Sequence, residues 1–324
     1  MTSFTPLASS APEAVFLIHH GDQAYLRIAA QCSQVPGNEV ILIGNDDATG
    51  KICAAYYDDS QIQLPDYEAF ERQYVHMSSA TTEFELLCFK RYFYLHSIAK
   101  QRELTHFWMM DSDAIIVQSL SPVANFLLKN NFCAAVSTVH QDDTVWASSP
   151  HTSFWTLSGV EDFLSFLQNL YTGPTRALLD QKYQIHIERQ IPGGICDMTA
   201  LYLWQKSKAD VYNLAKAHLE GLPLFDNNLN QTGNTVDNEF EMVRNVKLKK
   251  ITRQNQENYA HLNKPDEVIA IPIAALHFQG TAKACMATFQ DKHEITYASY
   301  AGYAFAQYLQ KRKNSLIRKI KKLL

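Results

Sequence analysis

The sequence lacks several features that would place it in a protein class at once. No two of its six cysteines lie within four residues of each other, which argues against a zinc knuckle or a redox pair. No apolar run approaches the roughly 20 residues needed to cross a bilayer. The net charge is only −4, so the chain has no overall nucleic-acid signature. With no basic segment leading into an apolar stretch near its start, we expect a cytoplasmic protein.

The chain also has no internal repeat and no linker rich in proline or serine. At 324 residues and 46% apolar composition it can bury a large core. We therefore expect a loose lead-in over 1–13, one main domain over 14–292, and a helical basic tail over 293–324.

Two continuous apolar runs near the start indicate strands that are covered on both faces. They are Val15–Ile18 and Val40–Ile43, and the segment 23–33 between them has the pattern of a helix. A strand, a helix and a strand in this order predict an α/β fold, with a mixed, mainly parallel sheet flanked by helices.

The clearest helix is predicted over 81–103. Thr81 or Thr82 can cap it, and a stripe with helical spacing faces the core. The stripe consists of Phe84, Leu87, Arg91, Tyr94 and Ile98. The other predicted elements are a strand at 106–110, helices at 122–130, 160–170, 175–189 and 197–207, strands at 132–139, 154–157 and 273–278, an irregular loop at 221–240 and a weak strand edge at 241–252.

Two acids follow the strand at 106–110. In Asp111-Ser112-Asp113 the carboxylates lie two residues apart, where the backbone leaves the sheet. Two acids there repel each other and lose hydration unless a cation or a set of donors compensates them. A divalent metal is the simplest compensator, and a helix or turn cap is the structural alternative.

A second cluster of polar residues follows the strand at 273–276. It reads His277-Phe278-Gln279-Gly280-Thr281-Ala282-Lys283. Imidazole joins carboxylates around Mn²⁺-like ions, Gly280 permits a sharp turn, and Lys283 suits a phosphate oxygen. The two motifs together are far more specific than either alone.

Together these motifs resemble the metal and diphosphate site of GT-A glycosyltransferases, closest to the retaining, glycogenin-like group. That group carries an Asp-x-Asp and a late His-x-x-Gly-x-x-Lys, and usually continues with Pro-Trp, where this chain has Ala284-Cys285. The resemblance implies a GT-A, Rossmann-like catalytic domain over 14–292. It also implies transfer of a sugar from a nucleotide-sugar, such as a UDP-sugar, to a glycan or lipid-linked acceptor.

The resemblance further implies roles for individual residues. Asp111, Asp113 and His277 would hold Mn²⁺ or Mg²⁺, with Asp111 also near the ribose. Ser112 and Gly280 would belong to the donor site, and Lys283 would neutralise the departing diphosphate. The leaving phosphate would deprotonate the acceptor hydroxyl.

Other candidates come from the ends of elements. His19, His20 and Asp22 follow the first strand, where the nucleotide would bind, although Asp22 could simply cap a helix. Arg91 lies on the apolar stripe and needs an anion, which would be either the donor or a protein carboxylate. Lys90 suits a solvated helix face. Asp197 would meet hydroxyls of the transferred sugar, or else cap a helix.

Three features leave further alternatives open. Trp155 and Trp204 could stack on a sugar, although core packing is the usual role of such residues. The segment 309–324 interleaves apolar residues with cations, which suits peripheral contact with an anionic membrane or a solvated terminal helix. Asp-x-Asp after a strand also occurs in haloacid-dehalogenase-type phosphohydrolases, where Asp111 would be the nucleophile. For the whole site there is also a third interpretation, after the glycosyltransferase and the phosphohydrolase, namely a non-catalytic protein that only binds nucleotide-sugars.

Overall fold

The computed structural model describes residues 11–139, 145–244, 246–264 and 267–297, together with residue 301. Its strands are β1 (Glu13–His19), β2 (Asn38–Gly44), β3 (Ala55–Asp58), β4 (His106–Met110), β5 (Ala114–Ile116), β6 (Ala134–Ser137), β7 (Ser149–Thr156), β8 (Val211–Asn213), β9 (Leu224–Phe225), β10 (Ile251–Gln254), β11 (Glu257–Asn263) and β12 (Val268–His277). Its α-helices are α1 (Ala24–Cys32), α2 (Asp47–Gly50), α3 (Pro65–Gln73), α4 (Thr82–Gln101), α5 (Ser121–Lys129), α6 (Leu157–Gln168), α7 (Gly173–Arg189), α8 (Asp197–Lys206) and α9 (Met286–Lys292). Short 3₁₀ helices cover Asp59–Gln61, Leu214–Glu220 and Gly280–Cys285.

The strands form two sheets. The larger has seven strands in the order β3-β2-β1-β4-β7-β6-β8. Only β7 is antiparallel to its neighbours, and the other adjacent pairs are parallel. The smaller sheet has the order β10-β11-β12-β5, and β9 pairs with β12. The predicted fold class, an α/β fold with a mainly parallel sheet between helices, is confirmed.

Apolar side chains on both faces of the larger sheet build two cores. Alternate residues of β1 point to opposite sides, so Leu17 joins one core and Phe16 joins the other. The core around Leu17 is covered by α1, α5, α9 and the smaller sheet, and the core around Phe16 by α3, α4 and α6. This two-sided cover explains why the strand sequences are continuously apolar.

Most predicted elements are present, with shifts of a few residues at their ends. The predicted strand at 132–139 is shorter, because β6 covers only Ala134–Ser137. In the segment 241–252, expected as a strand edge, Met242 and Lys249 form an isolated antiparallel bridge, and a full strand begins only at Ile251. Short or polar elements escaped the prediction, namely α2, α3, α9, β3, β5, β8, β9 and β11.

Helix α4 begins as predicted, and Tyr94 and Ile98 of the predicted stripe are buried. The Thr81 hydroxyl accepts a hydrogen bond from the Phe84 backbone N–H at 3.3 Å. Phe84 itself is 59% exposed, so its place in the predicted buried stripe is wrong. Residues 82–84 of α4 are exposed, and burial begins at Glu85 and continues at Phe89.

Most of the predicted terminal segments lie outside the described residues. These are the lead-in over 1–10, and all but Ala301 of the basic tail from 298 onward, including 309–324. The expected domain boundaries therefore stay predictions. Among the helices that the structure describes, none is both long and apolar enough to span a bilayer. All six cysteines are free, with Cys285 buried and the others half-buried.

Trp155 and Trp204 belong to the core rather than to a surface platform. Both indoles are fully buried, their ring centroids lie 5.6 Å apart, and Phe163 packs against both. A sugar cannot reach them without opening this cluster. The alternative interpretation of these two residues, core packing, therefore holds.

We expect Trp155→Ala to lower the free energy of unfolding by about 3–5 kcal/mol, since it leaves a large cavity between packed rings. The matched control Phe84→Ala removes an exposed ring and should cost less than about 0.5 kcal/mol. Chemical denaturation of both variants measures the difference. Equal losses would contradict the assignment of Trp155 to the core.

Candidate metal and donor site

The two acids lie where the chain crosses from one sheet to the other. Strand β4 ends at Met110 and β5 begins at Ala114, so Asp111–Asp113 is the connection. A backbone bond from Ala114 N–H to the Asp111 carbonyl, 3.0 Å long, makes this connection a tight turn. The turn directs both carboxylates to the edge at which β4 ends.

Strand pairing brings the late histidine to the same place. Strand β12 runs antiparallel to β5, with His277 opposite Ala114. One residue farther, the Phe278 N–H donates to the Asp113 carbonyl at 2.7 Å. A separation of more than 160 residues in sequence therefore becomes direct contact in space.

The predicted metal ligands converge. Asp111, Asp113 and His277 each offer one ligand atom, and these atoms lie within 4.8 Å of one another. The imidazole is oriented by its Nδ1–H, which donates to the Asn227 carbonyl at 2.6 Å, so its Nε2 points toward the acids. Two carboxylate oxygens and an oriented imidazole nitrogen could together hold a metal ion.

Asp113 is surrounded by positive groups. Its oxygens lie 3.5 Å from His277 Nε2 and 3.0 Å from Lys283 Nζ. Burial by itself would raise the pKa of Asp113, but the hydrogen bonds and charges of His277 and Lys283 outweigh burial and hold it well below its usual range. Asp113 is thus a carboxylate ready to bind a cation.

The turn after β12 places Lys283. Gly280 has φ +61°, a left-handed conformation that glycine adopts at little cost. A Cβ at Gly280 would meet no atom within 4 Å, so this glycine is required for its backbone shape rather than for space. The 3₁₀ helix that follows carries Lys283 back over Asp113.

A guanidinium joins two carboxylates beside this cluster. Arg91 Nη1 donates to Asp111 at 2.8 Å, and Nη2 donates to Asp197, which also accepts from Tyr92 OH at 3.1 Å. Burial raises the pKa of Asp111, and the Arg91 charge opposes that rise. Asp197 lies in the first turn of α8 but caps nothing, because Cys196 is the N-cap residue. Its interpretation as a helix cap is therefore wrong.

Of the three candidates that follow β1, only His19 lies near the metal ligands. His19 lies near enough to Lys283 and Asp113 to feel their charges, although burial is the main cause that lowers its pKa. His20 instead lies 2.9 Å from Asp59. Asp22 is exposed and does not cap α1, whose N-cap is Gln23, so that alternative is also wrong.

The remaining candidates sit at the edges of the site. Ser112 is half-buried between the two acids. Lys90 does not face the cluster, since its Nζ lies 5.1 Å and 5.2 Å from the ring centroids of Tyr67 and Tyr94. Its interpretation as a residue outside the donor site agrees with this position.

Two buried residues behind His277 escaped the sequence analysis. The His151 ring stacks on His277 at 4.2 Å and donates from Nε2 to the Asp226 carbonyl, and burial lowers its pKa well below the usual value. Asp226 follows the short apolar run Leu222–Phe225, the same signal that identified Asp111. It was missed because 221–240 reads as a surface loop.

Glu239 stabilises the rest of the loop over 221–240 through its hydrogen bonds. Its carboxylate accepts from the backbone N–H of Asn234 at 2.7 Å and of Thr235 at 3.1 Å, and it lies 2.5 Å from His218 Nε2. Burial opposes ionisation, but these hydrogen bonds prevail and lower the pKa of Glu239 from 4.5 to about 2. The loop behind the site thus depends on an ionised acid.

Comparison with known proteins gives likeness in structure only. No protein-family model matches the chain, and no curated protein matches it in sequence. Among solved structures it is similar to mouse xyloside xylosyltransferase 1 in the apo form, at 11% identity over 68% of this chain and 87% of that chain, with a TM-score of 0.43.

Two further solved structures are similar at the same identity. A glycosyltransferase involved in glycosylation of the major capsid of PBCV-1 matches at 11% identity over 86% of this chain and 99% of that chain, with a TM-score of 0.36. The galactosyltransferase LgtC, in complex with donor and acceptor sugar analogues, matches at 11% identity over 63% of this chain and 74% of that chain, with a TM-score of 0.39. All three TM-scores lie below 0.5, so the case for a function rests on the site itself.

We expect Arg91→Met to lower the free energy of unfolding by about 3–5 kcal/mol, because Asp111 and Asp197 lose their shared counter-charge. The neighbouring control Lys90→Met loses only cation–π contacts and should cost about 0.5–1 kcal/mol. Denaturation at neutral pH compares the two. A larger loss for Lys90→Met would contradict the bridging role of Arg91.

Glu239 gives a prediction for acid stability. Since its folded pKa is depressed, its contribution is fully present above about pH 4.5 and is lost as the pH falls toward 2. Glu239→Gln should be less stable than the parent protein at pH 7 by about 3 kcal/mol, and the gap should narrow below pH 4. Unfolding measured from pH 7 to pH 3 tests this, and a gap that stays constant with pH would contradict it.

Proposed function

We propose that this chain is a metal-dependent glycosyltransferase that moves a sugar from a nucleotide-sugar, with UDP as the nucleotide, to a glycan or lipid-linked acceptor. One observation carries the proposal: Asp111, Asp113 and His277 converge, with Lys283 beside them. Two acids, an imidazole and the partly exposed ammonium of Lys283 lie at the edge where a central strand ends, and this set suits a ligand that contains a diphosphate.

The residues divide the work as follows. Asp111, Asp113 and His277 would hold Mn²⁺ or Mg²⁺. Such an ion, when bound, supplies Lewis-acid neutralisation of the diphosphate. Lys283 has 37% of its side chain exposed, so it can turn from Asp113 to a phosphate oxygen and stabilise the charge that develops there.

Arg91 and Asp197 would position the donor sugar. Their contact is buried and rigid, because Arg91 is held at both ends by carboxylates and Tyr92 adds a further hydrogen bond to Asp197. A fixed carboxylate next to the diphosphate can accept hydrogen bonds from sugar hydroxyls. His19 and Ser112, at the rim, would meet the nucleotide.

Retention of the anomeric configuration belongs to the same proposal. It is supported by the resemblance to the glycogenin-like group, in which the leaving phosphate takes the acceptor's proton. Contact of the tail over 309–324 with a membrane surface also stays a prediction, because that segment lies outside the described residues.

A phosphohydrolase is the second interpretation of the acid pair. In it an oxygen of Asp111 would attack phosphorus, and since Oδ1 is bonded to Arg91, that oxygen would be Oδ2. A protein that only binds nucleotide-sugars would use the same ligands, so turnover separates it from an enzyme.

We expect Asp113→Asn and His277→Ala each to reduce metal-dependent hydrolysis of the donor at least 100-fold, since each removes a ligand from the ion site. Chelation of the parent protein should have the same effect. A screen of UDP- and GDP-sugars by metal-dependent thermal stabilisation selects the donor, and release of nucleotide diphosphate measures turnover.

Asp291→Asn and His261→Ala are the matched controls, because they change the same residue types elsewhere and should keep full activity. Full activity in Asp113→Asn, in His277→Ala or in chelator would refute the proposal. Trapping of a phosphoryl group on Asp111 would favour the phosphohydrolase, and donor binding without turnover would favour the binding protein.

A further inference from the structure

A buried ion pair lies directly behind the metal ligands. Lys249 is fully buried and Asp226 is 1% exposed, and Lys249 Nζ donates to Asp226 Oδ1. The same ammonium donates to Asn234 Oδ1 at 3.1 Å and to the Asn228 carbonyl at 3.2 Å. All three N–H groups of the Lys249 ammonium therefore donate hydrogen bonds to the loop over 226–234.

That loop in turn forms hydrogen bonds with the backbone N–H, the backbone carbonyl and the Nδ1–H of His277. Asp226 Oδ2 accepts the His277 backbone N–H at 3.3 Å, and the Asn227 carbonyl accepts its Nδ1–H at 2.6 Å. The His277 carbonyl accepts from the Leu229 N–H at 3.0 Å. Only Nε2, which faces Asp113, is left to bind a ligand.

The loop also binds His151, the residue of β7 whose ring stacks on His277. The Asp226 carbonyl accepts from His151 Nε2 at 3.0 Å, and the His151 ring stacks on the His277 ring. On the far side, Asn228 Nδ2 and Asn230 Nδ2 donate to Gln279, two residues past His277. The loop thus fixes the imidazole plane and the start of the turn to Lys283.

We infer that Lys249 is a positioning residue for the metal site: its ammonium gathers Asp226, Asn228 and Asn234 so that the loop aims His277 Nε2 at the acids. This inference rests on the proposed function, because it assumes that the site binds a divalent ion. Lys249 has no contact with Asp111 or Asp113 among the described interactions, so it acts only through the loop.

The physical reason is that a buried carboxylate needs a donor. Without Lys249, the Asp226 carboxylate loses the partner that holds it inside the fold, and the loop must move to bring it to another donor or to water. That movement displaces the acceptor for the His277 N–H and loosens the carbonyl that holds Nδ1. Loss of partners that orient a metal ligand commonly weakens metal binding about 10- to 100-fold.

The experiment measures Mn²⁺ affinity, by calorimetry and by the EPR spectrum of bound Mn²⁺, without any sugar donor. We expect the dissociation constant of Lys249→Met to rise about 10- to 100-fold relative to the parent protein. Lys250→Met is the matched control, since Lys250 is an adjacent lysine paired with Glu241 at the surface, and it should bind Mn²⁺ normally.

A second variant covers the case in which Lys249→Met does not fold. Asp226→Leu/Lys249→Met replaces the ion pair with apolar groups, which is often neutral for stability. The double variant still lacks the acceptor for the His277 N–H and the ammonium that binds Asn228 and Asn234. We therefore expect the same weakening of Mn²⁺ binding in a folded protein. Circular dichroism and the melting temperature of the metal-free forms confirm folding.

The outcomes separate this inference from the proposed function. If the parent protein binds Mn²⁺, Asp113→Asn does not, and the folded Lys249 variants bind within twofold of the parent, the positioning role of Lys249 is overturned while the proposed function stands. If the parent protein binds no Mn²⁺ at all, the proposed function and this inference fall together. A loss of stability with unchanged affinity would make Lys249 purely structural.

Discussion

The site depends on one piece of backbone pairing, that of β12 with β5. Because the two strands are antiparallel, the end of β12 lies beside the start of β5, and His277 comes to face the turn that carries Asp111 and Asp113. The hydrogen bond from Phe278 to Asp113 fixes the register at this point. A slip of one residue would turn the imidazole to the other face of the sheet and remove it from the acids.

Charge balance is the second constraint. Asp111, Asp113 and Asp197 bring three carboxylates into one region, and each has a cationic neighbour in Arg91, Lys283 or His277. The pairs differ in how firmly they are held. Arg91 is locked between two acids, whereas Lys283 is partly exposed and can exchange its partner for a phosphate. A rigid pair next to an exchangeable one suits a site that must keep its shape while it binds and releases an anionic ligand.

Much of this arrangement could be predicted from particular residues. The apolar runs at 15–18 and 40–43 predicted the parallel sheet because strands covered on both sides need no polar alternation. The acid pair was found because two carboxylates directly after a buried strand repel each other unless a cation compensates them, and the late histidine because imidazole joins carboxylates around metal ions. Phe84 misled the helix analysis, since helical spacing alone does not reveal at which residue burial begins along a helix. Asp226 was hidden by the asparagines around it, which resemble those of any surface loop.

Local sequence by itself determined the long apolar strands, the main helices and the chemistry of the ligands, because these follow from short-range patterns of polarity and from side-chain type. Only the tertiary structure decided which charges meet. Nothing in the spacing of Lys249, Asp226 and His151 shows that they gather behind His277, since their contacts arise from loop and strand packing across long separations. Burial then makes those contacts obligatory, because a charge removed from water must find a partner within the fold.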